Sequence, residues 1–448
     1  MGMRPGELIF QDQLKRFIMI EKYIYEQNVH WQNQPYDAGI IRESLKSIQI
    51  ILDTDQTIAI SGVRRCGKSF LLKQIINQLI DTGIRKENIL FVNLELPFFS
   101  LEQHTDILDK IVLEYKKMKN PQGKIYYFLD EIQAIPNWEI WLKYNYDLYK
   151  GKVKYFITGS NSQLLSSEFA TKLSGRVIEK KLYPFSFNEL LTYYGLCVSE
   201  RQDIIRNKEQ IMHYFDMYLN FGSMPETLAN TSLEIKRELL SSYLNAILFK
   251  DIVPRFSVRD SMLIQNLTMY LMGNTTTLLN YNKLANILHS NRNTIRDYIN
   301  YIEKACLNFS LAKFDYSQKA QLLSSKKSYF IDNGFINLLA FRFSLNQGHL
   351  LENIVFLHLK RTYDHVYYYK NKGECDFIVY QYMKEKMAVQ VTYTLNDNNR
   401  KRELKGVKLG CEKIDIKEGY ILTYNDYDTI QYDGIKVFVL PVFDWLLK

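Results

Sequence analysis

A short stretch near residue 60 has the residue types and the spacing needed to hold a chain of phosphates. Gly62–Ser69 reads Gly-Val-Arg-Arg-Cys-Gly-Lys-Ser, which fits the pattern G-x-x-x-x-G-K-[ST] at every fixed position. Glycines let the backbone wrap closely around a phosphate, and successive N–H groups point inward where a helix begins. Lys68 is expected to reach the β- and γ-phosphates, and the Ser69 hydroxyl to bind Mg²⁺. The predicted ATP-binding residues are Gly62, Val63, Arg64, Arg65, Cys66, Gly67, Lys68, Ser69 and Phe70.

A second candidate is an apolar strand that ends in two acids. Residues 125–129 are Ile-Tyr-Tyr-Phe-Leu, and Asp130 and Glu131 follow them directly. Asp130 is expected to hold Mg²⁺ through water, and Glu131 to polarise the attacking water as a general base. An ordinary strand end is the alternative, but the phosphate loop upstream favours the functional interpretation. A glutamate base at this place favours ATP hydrolysis over phosphoryl transfer to another substrate.

Two further residues are candidates for contacts during hydrolysis. The predicted strand Val153–Thr158 runs into Gly-Ser-Asn-Ser, and a polar side chain at a strand tip can contact the γ-phosphate or the water. Asn161 is the first choice and Ser160 the second, with a plain turn as the alternative. Arg176 is a candidate arginine finger or sensor, because a guanidinium can neutralise charge in the transition state. A structural or solvated arginine is the alternative there.

The thiol of Cys66 is a separate case, because the cysteine lies inside the phosphate loop. A helix N-terminus and a neighbouring Lys68 both favour the thiolate. Cys66 is therefore expected to be the fastest-alkylated cysteine, with MgATP protecting it. An inert thiol turned into the core beneath the loop is the alternative.

The elements that must position these residues alternate between short apolar strands and longer amphipathic segments. This alternation predicts an α/β fold with a parallel sheet and helices between the strands. The predicted strands are Thr57–Ser61, Ile89–Leu94, Ile125–Asp130 and Val153–Thr158, and the predicted helices include Lys68–Leu79 and Trp138–Tyr149.

Composition places the chain among ordinary globular proteins. It has 448 residues, of which 46% are hydrophobic and 24% charged, and this excludes a disordered or collagen-like chain. No apolar run approaches the roughly 18 residues of a membrane span, so no membrane partner is expected. Five scattered cysteines without a C-x-x-C pair favour a reducing cytoplasm over a disulfide framework or zinc knuckle. The net charge of +8 allows a nucleic-acid partner without requiring one.

Taken together, these pieces resemble a family of bacterial and archaeal AAA-type P-loop ATPases. The motifs that carry the resemblance in the first half are Gly62–Ser69, Phe128–Gln133, Thr158–Ser162, Leu173–Arg176 and Pro184–Glu189. Those that carry it further are Phe221–Glu226, Lys250–Ile252, Tyr329–Gly334, Leu351–Asn353 and the final Pro441–Leu447. The resemblance covers nearly the whole chain. It implies an ATPase core, a winged-helix segment and a C-terminal domain of the PD-(D/E)xK nuclease type.

The resulting domain plan has five parts. They are an N-terminal helical segment without an assigned role (1–55), a P-loop ATPase core (56–200), a helical lid or linker (201–265), a winged helix-turn-helix (266–335) and a smaller nuclease-like α/β domain (336–448).

The winged-helix segment is a candidate for contact with DNA. Helices are expected at Asn282–Leu288 and Arg292–Lys304, and wing strands at Leu311–Tyr316 and Ser328–Ile331. The residues that would face DNA are Arg292, Asn293 and Arg296 in the groove, and Lys319, Lys326 and Lys327 on the phosphates. A packing module without DNA contact is the alternative.

Three C-terminal residues fall where the nuclease-type pattern places its site, namely Glu352, Asp376 and Gln390. Such a nuclease needs carboxylates that converge on Mg²⁺ and a lysine near the scissile phosphate. Thr392 stands at the lysine position, and no other lysine on that strand replaces it. A degenerate nuclease site on a retained fold is therefore the favoured interpretation.

The sequence as a whole predicts a Mg²⁺-dependent ATPase that remodels or senses nucleic acid or a protein partner. The candidate partners are DNA, through the winged helix, and further copies of the same chain, and the sequence does not define an oligomeric state. The alternatives are a nucleic-acid-binding regulator that uses ATP as a switch with little turnover, and an ATP-gated nuclease.

Overall fold

The computed structural model describes residues 19–100, 106–160, 173–340, 347–381 and 385–448. The chain divides into two compact units, Met1–Leu182 and Tyr183–Lys448. Within the described ranges, no helix combines the length and the apolar character needed to cross a bilayer.

The first unit is built on a parallel sheet of five strands in the order β2-β3-β4-β1-β5. The strands are β1 Thr57–Gly62, β2 Ile89–Asn93, β3 Ile125–Asp130, β4 Val153–Ser160 and β5 Val177–Leu182. The α/β prediction is confirmed, and the four predicted strands are present. The prediction missed β5 because this edge strand is only half-buried and its sequence, Val-Ile-Glu-Lys-Lys-Leu, is not a continuous apolar run.

Helices connect the strands of the first sheet. They are Ser44–Gln49, Lys68–Asp81, Pro97–Ser100, Asp106–Lys119 and Trp138–Leu148, with residues 19–27 also helical and short 3₁₀ turns at Val29–Gln32, Lys86–Asn88 and Ile132–Ala134. The two predicted helices therefore differ from the observed ones only at their ends.

Residues 19–54, for which the sequence suggested no role, are part of the first unit. Ile20 and Ile24 are buried in the same hydrophobic core as β2 and β3. The Asn28 amide bonds both backbone groups of Phe91, accepting from its N–H at 2.7 Å and donating to its carbonyl at 2.8 Å. The described part of the predicted segment 1–55 is thus an integral layer of the ATPase core rather than a separate element.

The second unit begins with a helical region and a small hairpin. Its helices are Phe187–Tyr193, Arg201–Arg206, Lys208–Phe221, Pro225–Leu228, Leu233–Ala246, a π-helix at Ile247–Ile252, Ser261–Gly273, Tyr281–Ile287, Arg292–Lys304, Gln318–Leu323 and Asn333–Leu339. Strands β6 Asn308–Leu311 and β7 Lys327–Phe330 pair antiparallel. The two helices of the predicted helix-turn-helix are present with a turn between them.

The predicted wing takes a different course beyond Leu311. The Phe314 N–H donates to the Tyr368 carbonyl at 2.7 Å, and the Tyr368 N–H donates to the Ala312 carbonyl at 3.1 Å. The segment leaves the hairpin because Phe314 is buried in the core of the C-terminal sheet. Lys327, expected at an exposed wing tip, is instead only 3% exposed, so its assignment to DNA phosphates is wrong.

The C-terminal part of the second unit is a six-stranded mixed sheet in the order β12-β13-β11-β10-β9-β8. Its strands are β8 Val366–Lys370, β9 Glu374–Tyr380, β10 Lys386–Val391, β11 Glu418–Thr423, β12 Asp428–Tyr432 and β13 Ile435–Pro441, and its helices are Gln347–Thr362, Arg400–Ile414 and Val442–Leu446. Four strands were predicted from apolar runs in the sequence, at Val366–Lys370, Cys375–Tyr380, Met387–Thr392 and Gly419–Thr423. The β12–β13 hairpin was not, although Asp433-Gly434 at its turn is a strong hairpin signal and both residues have positive φ.

Candidate nucleotide site

The phosphate loop joins the carboxyl end of β1 to the helix Lys68–Asp81. A Cβ atom on Gly62 would lie 2.4 Å from the Leu182 carbonyl oxygen and 2.8 Å from the Cys66 sulfur, so no larger residue fits there. Gly67 has a φ of 101°, a left-handed conformation that glycine adopts without strain. The two glycines of the motif are therefore required by the local geometry, one by close approach and one by its backbone angle.

Lys68 is buried at the base of this loop. Its Nζ lies 3.3 Å from the Gly62 carbonyl oxygen, 3.4 Å from the Val63 carbonyl oxygen and 3.4 Å from Oε1 of Glu131. Burial acts to lower the pKa of the ammonium, but the surrounding negative groups, Glu131 first, leave that pKa above its ordinary value. Lys68 thus carries a positive charge at the place where the motif needs it.

Asp130 lies at the carboxyl end of β3, next to the start of the same helix. The Ser69 hydroxyl hydrogen-bonds to its carboxylate, and the Thr158 hydroxyl donates to its Oδ1. Burial raises the pKa of Asp130 to about 6, with the Glu131 charge adding to this and the two hydroxyls opposing it. Its Oδ2 is buried and has no hydrogen-bond partner among the described residues. One hydroxyl and one unsatisfied carboxylate oxygen, side by side, fit the oxygen ligands that Mg²⁺ prefers.

Glu131 is held in an unusual backbone conformation directly after β3. Its φ of 51° is left-handed, which costs free energy for a residue with a Cβ and is typical of functional sites. Its N–H donates to Oγ1 of Thr158 at 2.9 Å, and the Gln133 amide donates to its Oε2. Burial acts to raise the pKa of the carboxyl, but Lys68 and Gln133 outweigh it and hold the pKa below its ordinary value. Glu131 is therefore an ionised carboxylate beside the loop.

The structure brings four predicted residues together: Lys68, Ser69, Asp130 and Glu131. It also adds Thr158, which the sequence did not single out. The hydroxyl of Thr158 joins the two acids, and it can do so because β4 lies between β3 and β1 in the sheet. A polar residue near the end of an otherwise apolar strand was the available signal.

The remaining loop residues are placed around this cluster. Val63 is buried, Arg65 and Phe70 are exposed, and an Arg64 guanidinium nitrogen lies 2.9 Å from Glu95. Asn161, the first candidate for a γ-phosphate contact, lies outside the described residues.

Arg176 is not brought to this cluster within its own chain. It precedes β5, whose first residue pairs with Thr57 at the opposite end of β1 from Gly62. Five steps along a parallel strand separate the two ends by about 17 Å. Its guanidinium instead forms a two-pronged ion pair with Asp147, at 2.8 Å and 3.1 Å. Within its own chain, Arg176 thus pairs with Asp147 and lies near the other end of β1 from the phosphate loop.

The predicted reactivity of Cys66 does not fit its surroundings. The residue is fully buried, and its thiol faces the Leu182 carbonyl at 3.5 Å. Burial raises the pKa of the thiol, and the nearby Lys68 and Arg42 charges only partly oppose this. The inert thiol beneath the loop is the arrangement observed, and Cys197 is exposed instead.

A second buried lysine lies among the C-terminal carboxylates. Nζ of Lys327 is 3.2 Å from Oε1 of Glu352, 2.7 Å from Oε1 of Glu374 and 3.1 Å from Oδ1 of Asp376. The Tyr329 hydroxyl donates to Glu352 at 2.7 Å. No lysine was predicted at this position because only the strand that carries Gln390 was searched for one, whereas this lysine comes from β7. We call these five residues, Lys327, Tyr329, Glu352, Glu374 and Asp376, the lysine centre.

Both polar atoms of the Gln390 side-chain amide form hydrogen bonds. Its Oε1 accepts from the Asp376 N–H at 3.2 Å, and its Nε2 donates to Glu403 at 2.9 Å. A Cβ on Gly406, in the helix above, would lie 2.8 Å from that Oε1, so helix and amide pack tightly. Among the residues that the structure describes, no group of three or more His, Cys, Asp or Glu is arranged to hold a metal ion.

Three motifs that carried the family resemblance meet in a hydrogen-bonded core of the second unit. The buried Asp332 carboxylate accepts from the Ser223 N–H at 2.6 Å and from the Gly334 N–H at 2.8 Å. The Asn353 amide donates to the Phe330 carbonyl at 2.9 Å and accepts from the Phe330 N–H at 3.0 Å. These motifs therefore join segments of the second unit, and their polar side chains form hydrogen bonds with backbone groups.

Comparison with protein families agrees with the observed sheet and loop. Residues 54–191 match the family described as AAA domain, and residues 212–346 and 347–443 match two domains of unknown function, DUF8612 and DUF4143. Over residues 54–191 the first unit is thus similar to AAA domains, and it carries their P-loop type of phosphate loop.

Two relatives align over most of their length. The uncharacterized protein MJ1544 of Methanocaldococcus jannaschii is 34% identical over 90% of this chain and 90% of its own. An uncharacterized protein of Haemophilus influenzae is 32% identical over 92% of this chain and 99% of its own. The chain belongs to the family that contains these two proteins.

A more distant likeness is found among solved structures. The Aeropyrum pernix ORC1 protein in complex with DNA aligns with 66% of this chain and 91% of that chain, at 11% identity and a TM-score of 0.29. A likeness this remote carries no argument about function.

Proposed function

We propose that the chain is a Mg²⁺-dependent ATPase whose turnover drives the remodelling or sensing of nucleic acid or a protein partner. The observation that carries this proposal is the convergence of Lys68, Ser69, Asp130 and Glu131 at the carboxyl ends of β1 and β3, two parallel strands with β4 between them. Each residue type there matches one task of phosphoanhydride hydrolysis.

The chemistry follows from these positions. Backbone N–H groups of the loop and the Lys68 ammonium bind the triphosphate, so Lys68 exchanges its contact with Glu131 for phosphate oxygens. The carboxylate thus released orients a water and takes its proton. Ser69 and Asp130 are the residues that would hold Mg²⁺, which supplies further neutralisation of phosphate charge. Thr158 keeps Asp130 and the Glu131 backbone in fixed relation, so the base and the metal ligand act on the same phosphate.

The test separates binding from hydrolysis. In Glu131→Gln, ATP binding measured by isothermal titration should stay near the wild-type value, because the amide keeps the shape of the side chain. Phosphate release should fall on the order of a hundredfold to ten-thousandfold, the usual contribution of a general base. Wild-type turnover in this variant would remove Glu131 as the base, and a wild-type protein that binds no ATP would overturn the whole proposal.

Nucleic acid is the partner that a second observation favours. The helix Arg292–Lys304 buries its apolar side and exposes Arg292, Asn293 and Arg296 on its first two turns. Asn291 caps its N-terminus by accepting from the Thr294 N–H at 2.9 Å. An exposed basic start of the second helix in a helix-turn-helix is the part that usually enters a DNA groove.

The test of this interface is the salt dependence of DNA binding. The Arg292→Ala, Arg296→Ala double variant should flatten the slope of log affinity against log salt by about two units, one for each lost contact. Lys327→Met should leave the slope unchanged, because this lysine is buried. An unchanged slope in the double variant would assign any binding to another surface.

Arg176 lies away from the Lys68–Glu131 cluster of its own chain, so assembly into an oligomer would give it a different task. We infer that Arg176 acts as an arginine finger at the site of a neighbouring copy. Mixing inactive Arg176→Ala with inactive Lys68→Ala protein should then restore part of the turnover, because mixed pairs contain one intact site. Full activity of Arg176→Ala alone would reduce its role to the ion pair with Asp147.

A further inference from the structure

The strip of chain that precedes β1 is fastened to the helix of the phosphate loop by two amide side chains. Asn77 accepts from the Tyr36 N–H at 3.0 Å and donates to the Tyr36 carbonyl at 2.9 Å. Gln74 donates to the carbonyls of Ala38 and Ile40 at 2.8 Å and 2.5 Å, and accepts from the Arg42 N–H at 3.0 Å. Residues 36–42 are therefore fixed against this helix along two of its turns.

Arg42, at the end of this strip, reaches beneath the phosphate loop. The residue is only 3% exposed, and its Nη1 donates to the Cys66 carbonyl oxygen at 2.8 Å. A Cβ on Gly67 would lie 3.0 Å from the same nitrogen, so the guanidinium and the loop backbone are in direct contact. No motif drew attention to this arginine, which lies 20 positions before Gly62.

This contact constrains one peptide group of the loop. The Cys66–Gly67 peptide is planar and trans, so its N–H points away from its C=O. Because Arg42 holds the C=O on one side, the Gly67 N–H is directed to the other side, where the motif cradles phosphate. A guanidinium is also charged at every accessible pH, and in a buried place its field on a polyphosphate is stronger than in water.

We propose that Arg42 is a positioning residue for the nucleoside polyphosphate: it fixes the Gly67 N–H toward the phosphates and places a permanent positive charge beneath the loop. The proposal rests on the proposed ATPase function. It adds to that function a buried cation from outside the motif, supplied by the segment before the core.

The experiment compares Arg42→Met and Arg42→Lys with the wild type. Because the contact acts on substrate and transition state alike, KM for ATP and the dissociation constant of ADP should rise roughly tenfold to a hundredfold in Arg42→Met. The kcat at saturating ATP should change far less. The KM of Arg42→Lys should lie between those of the wild type and Arg42→Met, because lysine keeps the charge but lacks the planar guanidinium donors. Millimolar guanidinium should lower the raised KM of Arg42→Ala.

Arg361→Met is the matched control. Arg361 also donates to backbone carbonyls, those of Pro184 and Phe185 at 3.0 Å and 3.1 Å, but in the second unit. The Arg361→Met substitution should lower thermal stability without raising KM for ATP. An unchanged KM in Arg42→Met, with a wild type that binds ATP, would overturn the positioning role alone. A raised KM in Arg42→Ala that guanidinium fails to lower would assign the effect to misfolding and likewise overturn it.

Discussion

Two buried lysines face carboxylates in this molecule, one in each unit, and their contacts differ in kind. Lys68 touches two loop carbonyls and one carboxylate at 3.3–3.4 Å, at the start of the helix that follows the phosphate loop. Lys327 touches three carboxylates at 2.7–3.2 Å. Optimal ammonium–carboxylate contacts lie near 2.7–2.9 Å. Only the 2.7 Å contact between Lys327 and Glu374 lies in that range, and the contacts of Lys68 given above are all longer. We therefore expect the contacts of Lys68 to be the more readily exchanged for phosphate.

The same comparison explains why a residue pattern alone does not define a site. Both lysines are charged, and in both cases nearby carboxylates raise the pKa against the lowering effect of burial. What separates them is the backbone beside them: a left-handed glycine and a strand-to-helix loop at Lys68, and paired strands with a packed helix at the lysine centre. The two lysines thus differ in their backbone surroundings and not in their charge.

The largest expected effect comes from exchanging each lysine for methionine. Lys68→Met should lower ATP turnover on the order of a thousandfold or more, because a charge that neutralises the reacting phosphates is lost. Lys327→Met should keep wild-type kcat and KM per folded molecule, measured by phosphate release at a temperature where the variant is folded. Turnover lost equally in both variants would break the distinction between the two lysines.

The second effect concerns stability. Lys327→Met leaves two buried carboxylates, Glu352 and Asp376, and the partly exposed Glu374 without their cation, and it should lower the free energy of unfolding of the second unit by about 3–5 kcal/mol. Hydrogen exchange in peptides of β7 and β9 measures this unit directly.

Lys370→Met is the control for that experiment. Lys370 pairs with the same Glu374 at 2.9 Å, but half of its side chain is exposed. Its loss should cost about 1 kcal/mol or less. Equal losses in the two variants would show that burial does not distinguish these ion pairs.

A third effect is the opposite pH dependence of two buried groups. Burial lowers the pKa of His30 in the first unit to about 4 and raises the pKa of Asp332 in the second to about 6. The contribution of His30 to folding stability is complete above its ordinary pKa near 6.5, and this contribution is lost as the pH falls toward 4. The Asp332 contribution is full below about 3.8 and is lost as the pH rises through 6.

Chemical denaturation between pH 4 and 7 gives the free energy of unfolding of the wild type and of a variant that lacks each group. The difference between the two reports the contribution of that group. The stability of the wild type relative to His30→Gln should decrease as the pH falls, and relative to Asp332→Asn it should decrease as the pH rises. Each difference should change by on the order of 2 kcal/mol over the range. Two differences that move in the same direction would contradict the assigned pKa shifts.

Much of the first unit was predictable, because its signals are local. Apolar runs predicted four strands within one or two residues, and the motif predicted which residues follow β1 and β3. Thr158 was missed because its role depends on β4 lying between β3 and β1, which is a fact of sheet order. Arg42 was missed because its contact with the loop depends on a strip held by Gln74 and Asn77.

The lysine centre shows the limit of sequence reasoning more sharply. Lys327 and Glu352 come from different elements, so no spacing in the chain connects them. Local signals for its members did exist. Glu374 and Asp376 are two apart in a strand, as are Lys327 and Tyr329, and residues two apart share a face of the sheet. What could not be predicted is that these two faces meet, because Phe314 draws the segment before β7 onto the C-terminal sheet.

The smallest expected effect is the absence of one: the protein should not cleave DNA in Mg²⁺ or Mn²⁺. A metal-dependent nuclease needs carboxylate oxygens that are free to bind the ion. Here the oxygens of Asp376 accept from Lys327 at 3.1 Å and from the Val391 N–H at 3.0 Å. The Gln390 amide is likewise occupied on both sides. Incubation of supercoiled plasmid with either metal should therefore leave it intact, and cleavage that disappears in Asp376→Ala would show that the lysine centre opens to bind metal and substrate.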